Sequence, residues 1–280
     1  MPLPVYPAQR YVTPLREGGS LPAVVETPAG LYAVKFRGAG QGARALVAEV
    51  VVGRLAQVLG LPLPDIALVD LADGFGRAEP DPEIQDILRA SAGLNVGLAF
   101  VEGAFPFDPL AATDLVDPDT AAAIVWLDAL ATNIDRTARN PNLLVAPGAD
   151  GPDLWLIDHG AALYFHHDWP SVDEARARSP FPAIRDHVLL RVAGPVGAAD
   201  ARLAPLLDDG ALEAVLADVP DALLLAAPPG RDAPFESADA GRRAYLDYFR
   251  ARLAGPRAWV AEAARAQAAG PDATPLAYRR

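Results

Sequence analysis

Asp135 and Asn140 stand five residues apart, and Asp158 follows after two short apolar runs. Those residue types, in that order, suit one kind of chemistry. A carboxylate can meet an incoming hydroxyl, while an amide oxygen and a second carboxylate hold hard cations that bridge phosphates. Upstream, Lys35 and Glu49 are spaced so that a strand lysine could pair with a helix glutamate. Such a pair points an ammonium at the phosphates of a nucleotide. Before them the loop "REGGSLP" carries Gly18, Gly19 and Ser20. Glycines there let backbone approach phosphate closely and offer amide donors.

Lys35 is the only lysine in a chain otherwise rich in arginine. A lysine offers a compact, rotatable point charge that a guanidinium fork does not copy. The 280 residues, 51% hydrophobic and 21% charged, are enough for one large domain or two lobes with a real core. The formal net charge of −12 disfavours nucleic acid or an anionic membrane as a direct partner. With no cysteine, thiolate chemistry is excluded. No apolar run approaches the ~20 residues needed to cross a bilayer, and the longest, near Ala121, is broken by Asp128. The first residues lack a basic segment leading into an apolar run, so the expected location is cytoplasmic.

The elements that must position these residues are legible in outline. "AVVET" and "LYAVKF" read as strands joined by the turn "PAG". "ARALVAEVVVGRLAQVLG" reads as a helix closed by Gly60. "LPLPDIALVDL" leads into a strand, "PEIQDILRA" is a short helix, and "VGLAFVEG" is a further strand. From Asp119 onward the pattern is helical: about 119–132, near 183–193, then 201–207, 210–218 and 240–268. "NLLV" and "LWLID" form a hairpin inside that half. The expected fold is α+β and two-lobed, a single unit with a strand-rich lobe over 1–104 and a mainly helical lobe over 105–280. A connector lies near 100–106, and a ligand is expected between the halves.

The spacing of Asp135 and Asn140 is that of the protein-kinase catalytic loop H-R-D-x-x-x-x-N, and Asp158-His159-Gly160 stands where D-F-G would. "LYAVKF", "ALVAEVVVGRLAQVLGLPLPD", "ATNIDRTARNPNLLV" and "LWLIDHGAALYFHHDW" resemble the HipA-like kinase domain in its compact, stand-alone bacterial form. The resemblance runs from about residue 10 through the C-terminal helices. The pattern is also similar to lipid kinases of the phosphatidylinositol 3/4-kinase type. It implies a kinase that uses ATP and Mg²⁺ to phosphorylate a hydroxyl acceptor, of protein Ser/Thr type. Carried over, it makes Lys35 the phosphate lysine and Glu49 its partner. Asp135 becomes the catalytic aspartate, Asn140 and Asp158 the Mg²⁺ ligands, and Phe100, Val101 and Glu102 the hinge that receives adenine. Arg139 or Arg136 would steady the transferring phosphoryl group, since protein kinases place a lysine in this loop. Asn142 is a second candidate metal ligand. The family includes toxins that phosphorylate a protein and work with a DNA-binding antitoxin; the residues assign neither the acceptor nor such a partner.

The chain departs from the kinase pattern at two points. "NIDR" stands where "HRD" would, and "EGGSLP" is not G-x-G-x-x-G. The first departure admits a non-catalytic, nucleotide-binding or interaction module on the same fold. "GAGQGA" at 38–43 mimics the dinucleotide fingerprint and admits an NAD(P)-dependent oxidoreductase. Against that, no series of βαβ units is readable beyond it. Glu49 could instead lie on a solvated helix face beside Arg44 or Arg54. His159, His166, His167 and Asp168 could suggest a metal site, but neighbouring residues on a strand point to opposite faces and are better read as structural. The aromatic residues Tyr245, Tyr248, Phe249 and Trp259 read as helix-packing core.

Overall fold

The computed structural model describes residues 2–15, 21–40, 42–110, 115–148, 151–227, 230 and 232–270. Its N-terminal part is built on six strands: β1 (Val5–Pro7), β2 (Arg10–Pro14), β3 (Ala23–Thr27), β4 (Gly30–Lys35), β5 (Ile66–Leu71) and β6 (Gly93–Ala99). They lie in the order β1-β5-β6-β4-β3-β2. Only β1 and β5 are parallel; every other pairing is antiparallel. The β3–β4 hairpin turns at Pro28 and Ala29, where Thr27 Oγ1 accepts from Ala29 N and donates to Gly30 O. Gly30 takes a φ of +115° there, which a side chain would resist.

The two faces of this sheet are covered differently. Helix α1 (Gly42–Val58) packs on one face, with Leu46, Val50 and Leu55 meeting Ile66 and Leu98. It is apolar nearly all round because α3, α6 and α7, defined below, close over its other side. Gly60, at φ +69°, ends it, and Leu61 N returns to Ala56 O. Helix α2 (Pro82–Ala90) covers the opposite face. Asp81 caps it and Pro82 opens it, while Ile84 and Leu88 join Val25, Val34 and Val69 in a second core.

A three-stranded sheet comes next, β7 (Phe105–Pro106), β8 (Leu143–Pro147) and β9 (Pro152–Leu156), in that order across the sheet. Between β7 and β8 runs α3 (Pro118–Leu130), capped by Asp117. All ten residues from Ala121 to Leu130 are buried, Asp128 among them. The remaining helices are α4 (Glu174–Ala177), α5 (Val196–Leu203), α6 (Asp209–Ala217), α7 (Asp221–Leu224), α8 (Ala238–Leu253) and α9 (Ala258–Ala269). The fold is thus α+β, with a strand-rich N-terminal part and a helical C-terminal part. Among the described residues, no helix is long and apolar enough to cross a membrane.

Several expected boundaries move. The helix expected near 183–193 is a single 3₁₀ turn over Pro182–Asp186 and then a run of turns. Its backbone is spent on the neighbouring loop instead, since Val188 N bonds to Arg136 O. The helix expected at 201–207 lies earlier, at α5, because Pro205 tightens the next turn into 3₁₀. The stretch 240–268 is two helices, α8 and α9, parted at Pro256. Strand β6 starts before Val96 and stops at Ala99, which leaves Phe100 to Glu102 as connector. The tail aromatics are core as expected, with Tyr245, Tyr248, Phe249 and Trp259 all buried.

Candidate active site

Lys35 is the last residue of β4, paired across to Val96 on β6. Beyond it the chain is held by Asn95, whose buried side chain accepts from Arg37 N and donates to Ser91 O and Gly93 O. The lysine Nζ lies 2.5 Å from Glu49 Oε1 and also donates to Asp158 Oδ1. Glu49 is 2% exposed, so the solvated-face alternative does not hold. Arg54 pairs with Asp218 instead, and Arg44 donates to His167 O. Glu49 also accepts from the backbone N–H of His159, which ties α1 to the segment after β9.

One cation thus stands between two carboxylates. Burial pulls the Lys35 ammonium down, but the charges of Glu49 and Asp158 outweigh it and hold its pKa above the ordinary value. Burial pushes the Glu49 carboxyl up against the opposing pull of Lys35. Asp158 is held below the usual carboxylate range because Lys35 outweighs its desolvation. Counted as ionised groups, the trio carries an excess negative charge before any ligand enters.

The hairpin of β8 and β9 presents the metal candidates. Asn142 precedes β8 and Asp158 comes after β9, and Ile157 N donates to Asn142 O across the open end. Both residues are left-handed, with φ of +50° and +54°, a conformation that Asn and Asp tolerate best among residues with side chains. Holding two such residues at one spot is typical of a functional site.

Asp135 sits in the loop between α3 and β8. Its Oδ2 accepts from Asn140 Nδ2 at 2.7 Å and from Asn142 Nδ2 at 3.2 Å, and among the described residues Oδ1 takes no such bond. Thr137 and Asn140 exchange backbone hydrogen bonds, so the turn is closed on itself. The paired amides donate through nitrogen, and among the described residues the side-chain oxygens of Asn140 and Asn142 take no hydrogen bond. Those amide oxygens and the Asp158 carboxylate are hard donors, the kind that suits a divalent cation such as Mg²⁺. Among the described residues no three of His, Cys, Asp and Glu converge to hold a metal. Mg²⁺ sites in phosphotransferases need no such cage, because substrate phosphates and water complete the shell.

Behind this loop lies a buried network. Asp128 Oδ1 accepts from Asn133 Nδ2 at 2.8 Å, and Asn133 Oδ1 accepts from Asp135 N at 3.1 Å. Asp128 Oδ2 accepts from Arg136 Nε at 2.5 Å and from His187 Nε2 at 2.9 Å. The rest of the Arg136 fork donates to Asn142 O, Ile157 O and His159 Nδ1. The two loop arginines are placed differently. Arg136 is fully engaged inside the protein, whereas Arg139 is exposed on the loop. Arg252 adds support, donating to Leu130 O and Ala129 O at the end of α3 and so meeting carbonyls the helix leaves open.

Three buried histidines give this core a pH dependence. Burial and the Arg136 charge bring His159 down to about 3. His166 and His187 are also lowered, chiefly by burial. Each is neutral when folded, whereas the unfolded chain protonates them below about pH 6.5. The unfolded state then binds more protons, so stability falls as pH drops through that value, and for His159 the loss continues to about pH 3. Between about pH 7.5 and about pH 5.5 His159 alone is expected to remove roughly 1.4 kcal/mol, and the lowered His166 and His187 act in the same direction. Urea midpoints at the two pH values measure this, and an unchanged midpoint contradicts it. Asp128, depressed by Arg136 and His187 despite its burial, adds stability that is lost only at more acid pH, below the ordinary carboxylate range.

The other residues expected at the site occupy simpler positions. Phe100, Val101 and Glu102 lie on the connector, with Phe100 N bonded to Leu31 O at the edge of β4. Gly18, Gly19 and Ser20 lie outside the described residues. His166 is buried against the Tyr245 hydroxyl at 2.9 Å, a structural role. The dinucleotide reading of "GAGQGA" finds no parallel βαβ unit, since β4 pairs antiparallel on both sides. Gly38 serves close packing, because a Cβ there would come 2.6 Å from Ala90 Cβ. Asn133, His187 and Arg252 join the site only in the structure, with no motif of their own in the sequence.

A family model described as HipA-like kinase matches residues 17–176, more than half of the chain. The crystal structure of a Helicobacter pylori proinflammatory kinase, CtkA, is similar with a TM-score of 0.52 at 15% sequence identity. That similarity covers 89% of this chain and 94% of the other, and speaks to the fold. None of the curated proteins compared matches.

Proposed function

Because the chain belongs to the HipA-like kinase family, we propose that it is an ATP- and Mg²⁺-dependent phosphotransferase acting on a hydroxyl of protein Ser/Thr type. The observation that carries this reading is the meeting of three distant segments at Lys35, with Glu49 from α1 and Asp158 after β9 on one ammonium. Beside them stands Asp135, held by two asparagines.

On this reading nucleotide enters between residues 1–104 and 105–280, with adenine at Phe100 to Glu102. Lys35 exchanges its bond to Asp158 for phosphate oxygens while Glu49 keeps it aimed. Asp158 and Asn140 would hold Mg²⁺, with Asn142 as the second amide candidate; bound there, the ion would neutralise charge developing on the phosphates. The free Oδ1 of Asp135 accepts the acceptor's proton as its oxygen bonds to the γ-phosphorus. The bond to ADP breaks, and ADP leaves. Arg139 meets charge spread over the equatorial oxygens.

Lys35→Ala and Asp158→Ala are each expected to abolish transfer from labelled Mg·ATP to proteins of a cell extract, with the fold intact by circular dichroism. Retained transfer in both variants overturns the proposal. Nucleotide binding by the wild-type protein without label dependent on Asp135 would instead indicate a binding module.

A further inference from the structure

On the reading of Asp135 as the catalytic base, we propose that His187 is a positioning residue that sets the shape of the loop carrying it. The loop reads "NIDR" and has no histidine of its own; the structure brings one in from far along the chain. His187 pairs with Thr137 in a backbone bridge, and the next residue donates from Val188 N to Arg136 O at 3.1 Å. Residues 187 and 188 thus act as an extra strand against the turn.

The side chain does a second job. Its Nδ1 accepts from Leu189 N at 3.1 Å, so a neutral ring carries its proton on Nε2. That N–H faces Asp128 Oδ2 at 2.9 Å. The other oxygen of Asp128 holds Asn133, and Asn133 accepts the backbone N–H of Asp135. An unbroken line of hydrogen bonds therefore runs from Leu189 N through His187, Asp128 and Asn133 to Asp135. Asn140 and Asn142 aim the carboxylate, while His187 and Asp128 fix the backbone beneath it. A histidine present only to fill space would not have both ring nitrogens hydrogen-bonded, one of them to the carboxylate that supports this loop. The residue is 7% exposed and acts without touching substrate.

The test compares His187→Leu with His187→Gln, whose terminal amide can still donate to Asp128. Two readouts are taken on the full chain: Mg²⁺-dependent γ-phosphate release from ATP with water as acceptor, and amide hydrogen exchange. In His187→Leu, kcat is expected to fall at least about tenfold with KM for ATP within about twofold. Amides of Asp135, Thr137 and Asn140 should exchange at least about tenfold faster while those of the six-stranded sheet hold. His187→Gln should recover most of both. Unchanged exchange in the loop, equal loss in both variants, or a general rise in exchange overturns the proposal. A wild-type protein that neither releases phosphate to water nor labels proteins of a cell extract overturns the kinase reading instead, and the exchange data still decide the role of His187.

Discussion

Asp135→Asn is expected to lower phosphoryl transfer by a factor of about 10²–10⁴, the range for removing a positioned general base. Affinity for Mg·ATP should stay within about threefold, because the proposed mechanism assigns nucleotide contacts to Lys35 and Asp158, not to Asp135. The geometry gives this substitution its force. Asp135 Oδ2 is held by two amide donors, so the new amide must either lose one of them or turn its nitrogen toward the acceptor. Either way no oxygen with a free lone pair and a negative charge faces the incoming hydroxyl. Single-turnover kinetics with equilibrium nucleotide binding separate the two effects. A variant that transfers at the wild-type rate would remove Asp135 from the chemistry.

The two loop arginines are expected to behave in opposite ways. Arg136→Met should destabilise the protein by about 3–5 kcal/mol, the usual cost of removing one partner of a buried ion pair. It strands the Asp128 carboxylate, which is fully buried, and strips donors from Asn142 O and Ile157 O. The companion variant Asp128→Leu/Arg136→Met removes both charges and should recover part of the loss. Arg139→Ala, on the exposed side, should change stability by less than about 0.5 kcal/mol while slowing transfer. Urea unfolding of the three variants measures the first effect and phosphate transfer the second. If Arg136→Met unfolds at the wild-type midpoint, the network does not carry the loop.

The legible part of the site is the part that residue type announces. Lys35, Glu49, Asp135, Asn140 and Asp158 are charged or amide groups set among apolar neighbours, and their order matches a known division of labour. The strands and helices near them are visible from the alternation at β4 and from the long apolar runs of α1 and α3. The supports are harder to see. Asp128 registers as a break in an apolar run, yet a single carboxylate in a wholly buried helix already demands a buried partner. That demand points to Arg136 eight residues on, since a guanidinium fork suits such a pair. His187 gives no comparable local signal, because its partners lie far away in sequence. The 3₁₀ turn over Pro182–Asp186 reads as a longer helix because what ends it is distant: just beyond it, Val188 N bonds to Arg136 O.

Helix α1 carries one more consequence. The glutamate that meets Lys35 rides on a helix enclosed by the sheet on one side and by α3, α6 and α7 on the other. Swinging it outward to part Glu49 from Lys35 would bring Leu46, Val50, Val51 and Leu55 into water. At about 1.5–3 kcal/mol per side chain, that motion would cost roughly 6–12 kcal/mol. An effector would need to favour the displaced state by more than the ~5.5 kcal/mol that carries a two-state balance from one extreme to the other. Displacement of α1 is therefore a poor off-switch for this protein, and its lysine–glutamate contact is a standing part of the architecture in resting and working molecules alike.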